Sequence, residues 1–474
     1  MRHSFRGTLL PLLLPLFAVI LGITAPLHAA EPPTPAAENF NVPPRIHTDY
    51  HPDFDSIRIS LLTVSAGPEV YERFGHTAIR ISRLPRPRHP YEPILFGYEG
   101  KTRLEVPLFQ REAAAVGDRV NQDLVFHYGV FNFNAPNFVY RFVKGETDYR
   151  IGCLPYIYMR EDYEQRGLRM TEQVLNLTPE QSREVLRLLL INYLPENRTY
   201  RYSFFFDNCA TRPFHLIGQA TEGTLSYHPD TTRHITLRDM LREKTGHGTW
   251  LDFGISMVIA GRADCEASFE EQMFLPEYLM EAYSHAETRK SVVTTDSMGV
   301  SATVDTTEPW VRAKRVILSG NPSIRARLES GDDGLFSPML CACLLLALAI
   351  LFTWAEWGTR RRFRAFDTLL FGVIGVAGIM VWFLNFCSLH PAVDHNWNCL
   401  WLTPTHLLFI GLLWIKKCKK IVEFYFFITF VALIVYLLIV LLGCQFAAPA
   451  FIPIVLALAL RSFVLMRRSR CNRI

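Results

Sequence analysis

Phe205-Phe206-Asp207-Asn208-Cys209-Ala210-Thr211-Arg212 reads as an aromatic strand or turn running into the start of a helix, with a cysteine at the junction. Asp207 and Asn208 are capping types and Phe214 to Ile217 supplies an apolar face, so the helix is expected to begin between Asn208 and Arg212. Pro213 fits only the first turn. A thiol at the positive end of a helix dipole is expected to have a lowered pKa, and the amides there can form part of an oxyanion hole. Thiolates attack acyl carbons, and a neighbouring imidazole both takes the proton and stabilises the anion. His76, in Gly75-His76-Thr77-Ala78-Ile79-Arg80, is the candidate base. Singly, Cys209 reads as a small buried apolar residue and His76 as a structural histidine; the chemistry is suggested by the pair.

The 474 residues are 49% apolar, more than a soluble two-domain chain requires, and the excess sits in the C-terminal third. Residues 1–30 begin basic (Arg2, Arg6), continue apolar from Leu9 to Ile23 and end in Ala29 and Ala30, the pattern of a secretory signal, with an uncleaved anchor as the alternative. Residues 31–56 open rich in Pro, Ala and Glu and read as a tether. Residues 57–285 carry recurring charges and no spanning run, so they are expected to fold as an exported soluble domain, followed by a linker over 286–336 and a transmembrane region over 337–474.

Five apolar stretches occupy that last region: Pro338–Trp354, Thr368–Phe386, Leu400–Ile415, Ile421–Leu442 and Phe451–Met466. The third and fifth are short or contain Arg461. Arg360, Arg361, Arg362 and Arg364, then Lys416, Lys417, Lys419 and Lys420, then Arg467, Arg468 and Arg470 follow alternate stretches, whereas 387–398 and 444–450 carry no Lys or Arg. Basic loops face the cytoplasm, so the N-terminal domain is expected outside. These clusters largely explain the net charge of +4 and suit an anionic inner leaflet; no nucleic-acid partner is assigned. Ten cysteines are too few and scattered for a disulfide scaffold, and no Cys/His spacing suggests a metal or other cofactor. Cys153 with Cys265, and Cys387 with Cys399, are either pairs formed in an oxidising compartment or unrelated thiols.

Within the exported domain, strands are expected over 57–64, 77–82 and 123–133, a short helix over 135–144 ending at Gly145, and a helix from Thr178-Pro179-Glu180-Gln181. Alternation in the third strand places Tyr128 and Asn132 on one face and His127 on the other.

Together, the Gly-His-Thr-Ala-Ile-Arg strand, an aromatic strand and the Asn-Cys helix start resemble circularly permuted papain-like enzymes, the lecithin:retinol acyltransferase group and NlpC-like hydrolases, in which His precedes Cys. More closely, Ser65-Ala66-Gly67-Pro68, Phe74 to Arg80, Tyr128-Gly129-Val130-Phe131-Asn132-Phe133, Phe142-Val143-Lys144-Gly145 and Phe206 to Arg212 are similar to the Lnb-type family, over about Ile57 to Leu279. That family is named for lipoprotein N-acyltransferases with a periplasmic catalytic domain and a membrane-spanning tail. The resemblance implies an α+β circularly permuted papain-like (NlpC-like) domain followed by an all-α transmembrane bundle of about five spans, in a bacterial inner membrane. It implies a cysteine-dependent enzyme that moves an acyl chain from a phospholipid to the α-amine of a diacylated lipoprotein.

Carried over by position, Cys209 is the nucleophile, His76 the base and Asn132 the residue orienting His76, where the family pattern often has Asp. Arg80, Arg212 and Asn208 are the expected substrate contacts, because Arg grips phosphate bidentately, with structural ion pairs as the alternative for the arginines. The external loop Leu389–Asn398 is expected to pack under the catalytic domain and help admit lipid, with a His/Asp metal site as the lesser reading. A cysteine amidase or peptidase acting on cell-wall peptides, or a non-catalytic envelope sensor, are the competing functions.

Overall fold

The computed structural model describes residues 54–85, 94–96, 104–109, 120–132, 134–229, 232–295, 301–330, 336–359 and 361–467. The expected signal segment, the tether as far as residue 53, and Phe133 lie outside them. Strands β1 (Arg58–Val64), β2 (His76–Ser82), β3 (Asp123–Val130), β4 (Asp148–Pro155), β5 (Arg169–Leu175), β6 (Thr199–Arg201) and β7 (Val311–Ser319) form one sheet in the spatial order β7-β5-β1-β2-β3-β4-β6. All neighbours are antiparallel.

Register places the candidate base. Val64 pairs with His76 and Ala78 with His127, so His76, Ala78 and His127 project from one face of the sheet. Helices follow in chain order: α1 (Phe138–Lys144), α2 (Tyr156–Gln165), α3 (Pro179–Tyr193) and α4 (Thr211–Thr221). On the His76 face, Leu62, Val64, Ala78 and Val125 pack with Met159 and Tyr163 of α2. Helix α3 opens as its sequence dictates: the Thr178 hydroxyl accepts from the Gln181 amide at 3.2 Å, and the Gln181 side chain accepts from the Thr178 amide at 3.0 Å. Such a box contributes about 1 kcal/mol.

The stretch 286–336, expected as a linker, holds three strands among its described residues. Glu287–Thr295 and Ser301–Pro309 pair as a hairpin, and β7 completes the sheet edge along β5. Trp310 between them is fully buried. An edge strand buries few of its side chains, so β7 carries only a weak apolar signature.

Helices α5 (Leu237–Thr245), α6 (Trp250–Val258) and α7 (Pro276–His285), with further helices at Phe269–Gln272 and Pro322–Ser330, belong to the soluble part, and α8 (Pro338–Thr359), α9 (Arg364–Cys387), α10 (Thr405–Leu412), α11 (Lys419–Leu441) and α12 (Phe451–Met466) make the apolar part. Among the described residues, three helical runs have the length and composition to cross a membrane: Pro338–Thr359, Arg364–Cys387 and Lys416–Leu441. Helix α12 has 16 residues, and the third expected stretch holds only the 8-residue α10. At about 1.5 Å per residue, α12 falls short of a ~30 Å hydrocarbon core.

The loop after α9 packs against the soluble domain, as expected. Asn396 Nδ2 donates to the Met257 carbonyl at 3.0 Å, Asn398 Nδ2 donates to the same carbonyl at 3.1 Å, and the Ala260 amide donates to Ala392 O at 3.0 Å. Asn398 Oδ1 accepts from Trp401 and Tyr436, so every polar atom of this buried amide is used. His390 meets the Phe142 carbonyl and His395 its neighbour Asp394, which occupies the loop histidines with protein partners. Cys153, Cys265, Cys387 and Cys399 are free thiols.

Candidate active site

The β2–β3 ladder stops at Ala78–His127, and the β3–β4 ladder slips between His127 and Val130. Cys209 sits at this opening. Gly129 there has φ +91°, and a β-carbon on it would lie 3.8 Å from both the Cys209 β-carbon and the Tyr202 ring. Glycine is therefore required for backbone conformation and leaves space beside the sulfur. The backbone amides of Thr77, next in chain to His76, and of Cys209 itself lie close enough to the sulfur to favour its anion. The two sequence motifs, more than a hundred residues apart, thus meet at one end of the β2–β3 pair.

Asn208 holds the cysteine in place. Its Oδ1 accepts from the Ala210 and Thr211 amides at 2.8 and 3.0 Å, an Asn-centred turn that carries Cys209 and Ala210 into α4, which begins at Thr211. Its Nδ2 donates to Phe204 O at 2.7 Å and Phe274 O at 2.9 Å, and its amide donates to Thr211 Oγ1 at 2.8 Å. Asn208 was expected to touch substrate; being buried with both ends of its amide satisfied, it is instead the anchor of the nucleophile loop. Asn208→Ala is expected to destabilise the protein by about 1–3 kcal/mol through the lost turn and two orphaned carbonyls. Thermal unfolding in detergent measures this, and an unchanged midpoint would show that the loop is held by other contacts.

Both expected phosphate-binding arginines are committed to the protein. Arg80 donates from Nε and Nη2 to the Asp123 carboxylate at 2.8 and 2.6 Å, from Nη1 to Glu172 at 2.9 Å, and lies 3.5 Å over the Tyr156 ring. It also stands four residues along β2 from His76, about 13 Å at strand spacing. Arg212 donates to Asp207 at 2.5 and 2.7 Å and lies 3.5 Å over Tyr200. Carboxylates three-dimensionally adjacent to each guanidinium are invisible in the local sequence, apart from Asp207.

Asn132 is not beside His76. Strand β3 ends at Val130, and the exposed Asn132 accepts from the Asn134 amide at 2.9 Å, a turn that its own side chain builds. The group that faces His76 is His127, ring edge to ring face with centroids 5.6 Å apart. Sequence reading set His127 on the face opposite Tyr128, as alternation requires, but took the orienting residue from the Tyr128–Asn132 face. The cross-strand register would have identified it, but register depends on pairing partners distant in the chain.

Electrostatics also departs from expectation. Burial pushes the Cys209 thiol up to about 11, and the Thr77 and Cys209 amides offset only part of that. Burial, with the positive charges of His127 and Arg166, pushes His76 down to about 3, and burial pushes His127 down to about 4. Desolvation outweighs the helix terminus. At neutral pH the resting site holds a thiol and two neutral imidazoles. Tyr163, Tyr200 and Tyr202 lie close enough that a Cys209 thiolate would raise their own pKa values.

Residues 109–241 match the family model for the Lnb N-terminal periplasmic domain, and residues 330–470 match that for the Lnb transmembrane domain. The first match includes Cys209 and His127 and begins beyond His76. No curated protein and no solved structure matches the chain.

Proposed function

As the chain belongs to the Lnb-type lipoprotein N-acyltransferase family, with a periplasmic domain and a transmembrane domain, we propose that it is a cysteine acyltransferase acting at the outer face of the bacterial inner membrane. Membership makes it a membrane enzyme that modifies lipoproteins. The finer reading is that Cys209 takes a fatty-acyl chain from a phospholipid and passes it to the α-amine of a diacylated lipoprotein. The observation that carries it is the meeting of Cys209, in the turn that leads into α4, with the His76–Thr77 strand at the Gly129 opening. A cysteine just ahead of a helix, beside a strand-borne histidine earlier in the chain, supports a permuted papain-like fold.

The steps follow from the neutral resting state. His76 accepts the Cys209 proton as the sulfur attacks the ester carbonyl, and the Cys209 and Thr77 amides beside the sulfur are the candidate donors to the developing oxyanion. Collapse expels the lysolipid alkoxide, which takes the proton from His76 and leaves a thioester. The lipoprotein amine then attacks that carbonyl, His76 takes a proton from nitrogen, and the sulfur leaves and recovers it. An ester becomes an amide, so no external energy source is needed. His127, in van der Waals range of His76, holds the imidazole in place of Asn132.

The alternation of chain ends supports a reading of five crossings, three of them by helices of full spanning length, with lateral entry of lipid substrates. Chain ends alternate: Phe336, the 388–398 loop and Gln445 all meet the soluble domain or its docking loop, while the basic runs at 361–364 and 416–420 occupy the other ends. The test is the acylation state of lipoprotein N-termini, by mass spectrometry, in cells carrying the unaltered protein or Cys209→Ala. Loss of the N-acyl group is expected with Cys209→Ala. Full acylation with the variant would end the acyltransferase reading, and a change confined to cell-wall peptides would replace it with the amidase.

A further inference from the structure

Helix α1 is short, yet Val139, Tyr140 and Phe142 on it are 73%, 55% and 48% exposed. Its position explains why. The Leu389 amide donates to Lys144 O at 2.8 Å, Ser388 Oγ donates to Val143 O at 2.8 Å, and the Tyr140 ring lies 6.1 Å from that of Phe383 near the end of α9. Gly145, at φ +79°, lets the chain pass against Leu389 and His390. α1 is therefore fixed at the end of a helix long and apolar enough to cross a membrane, a position that would set its apolar side chains near the lipid interface, where aromatic residues are favoured.

From α1 a row of rings leads inward. Phe142 stacks on Phe138 at 6.0 Å, Phe138 on Phe131 at 5.7 Å, Phe131 meets Tyr149 at 5.1 Å, and Tyr149 stacks on Tyr202 at 4.3 Å. Tyr202 and Cys209 flank the space left by Gly129. The charged groups beside the row are paired with each other, Arg141 with Asp148 and Lys144 with Glu146, and Phe131, Phe138 and Tyr202 keep part of their surface accessible. Rings serving only as core would end within the domain. This row begins on an exposed helix at the end of α9 and ends at the thiol.

We propose that the row Phe142–Phe138–Phe131–Tyr149–Tyr202 is the track along which a fatty-acyl chain of a bilayer lipid reaches Cys209. The proposal rests on the acyl-transfer reading and adds the route and the residues that select a long chain. Continuity with α9 and a lining of uncharged rings favour a hydrocarbon occupant over a peptide.

The full chain, reconstituted in phosphatidylethanolamine–phosphatidylglycerol vesicles, is assayed for the Cys209 adduct from those lipids and from water-soluble p-nitrophenyl butyrate. Phe131→Asp and Phe138→Asp are expected to lower transfer from vesicle lipid relative to butyrate by about tenfold or more, as loss of an apolar ring contact implies, with Phe138→Leu retaining most of the preference. An equal fall with both donors, or no fall with either, overturns the track while leaving acyl transfer standing. Absence of any adduct in the unaltered protein removes acyl transfer and the track with it. Independently of any variant, a phosphatidylethanolamine carrying a photoreactive acyl chain is expected to label Phe131 and Phe138 in the unaltered protein, and labelling confined to α8–α12 would overturn the route.

Discussion

Replacing His76 by alanine is expected to slow formation of the Cys209 thioester by about 10²–10⁴-fold, the usual contribution of a positioned general base. The resting protonation states make this loss severe. With the thiol pushed up to about 11, almost no thiolate is present at neutral pH, so attack requires an acceptor for the proton during the reaction. His76, held down at about 3, is neutral and so unprotonated, and becomes an adequate base only as the negative charge developing on the sulfur favours its imidazolium. The pH profile distinguishes this from a preformed thiolate–imidazolium pair. Reaction of the free enzyme is expected to be flat from about pH 5 to 9, because neither group titrates there. A bell with both limbs inside that window would show the ion pair instead. His127→Ala is expected to reduce the rate by less, as it acts through the orientation of His76.

The same shifts bear on stability, with a definite sign. His76 and His127 bind protons in the unfolded chain near the ordinary value of 6.5 and in the folded protein only near 3 and 4. Between those values the unfolded state holds more protons, so stability rises with pH through that window and is lost on acidification below about 6.5. Cys209 acts at the other end: between about 9 and 11 the unfolded thiol ionises first, and stability falls as pH rises.

What the sequence disclosed follows how local each signal is. The Cys209 helix start, the Thr178 box and the stop at Gly145 are set within a few residues, and all three appear where the residues place them. The coarse division into a mixed soluble domain and an apolar helical region was equally legible from charge and hydropathy. Failures arise where a distant partner decides. Arg80 is taken by Glu172, ninety-two positions away, and Asp123, forty-three away. His127 depends on β2–β3 register, and the edge strand β7 depends on β5. The thiol pKa failed for a related reason: a helix terminus is readable in the sequence, but the burial that outweighs it comes from the whole fold.

Arg461→Leu is expected to destabilise the apolar helices by about 3–5 kcal/mol, the cost of stranding buried charges after removing their partner. In the sequence, Arg461 counts against a spanning helix. In the structure it is fully buried and joins three helices: Nε and Nη2 donate to Asp367 of α9 at 2.6 and 2.9 Å, Nη2 to Glu356 of α8 at 3.0 Å, and Nη1 to Thr353 at 3.0 Å. One cation thus faces two carboxylates, so the substitution leaves two negative charges in a poorly solvating region, whereas deleting one carboxylate leaves a matched pair. The order of effects follows. Glu356→Gln alone should cost less than Arg461→Leu, and Arg461→Leu with Glu356→Gln and Asp367→Asn should recover much of the loss, since neutral amides are far cheaper to bury than ions. Thermal unfolding of the detergent-solubilised protein measures the series. If Arg461→Leu alone unfolds with an unchanged midpoint, water or headgroups must already neutralise the carboxylates, and the triad does not hold these helices together.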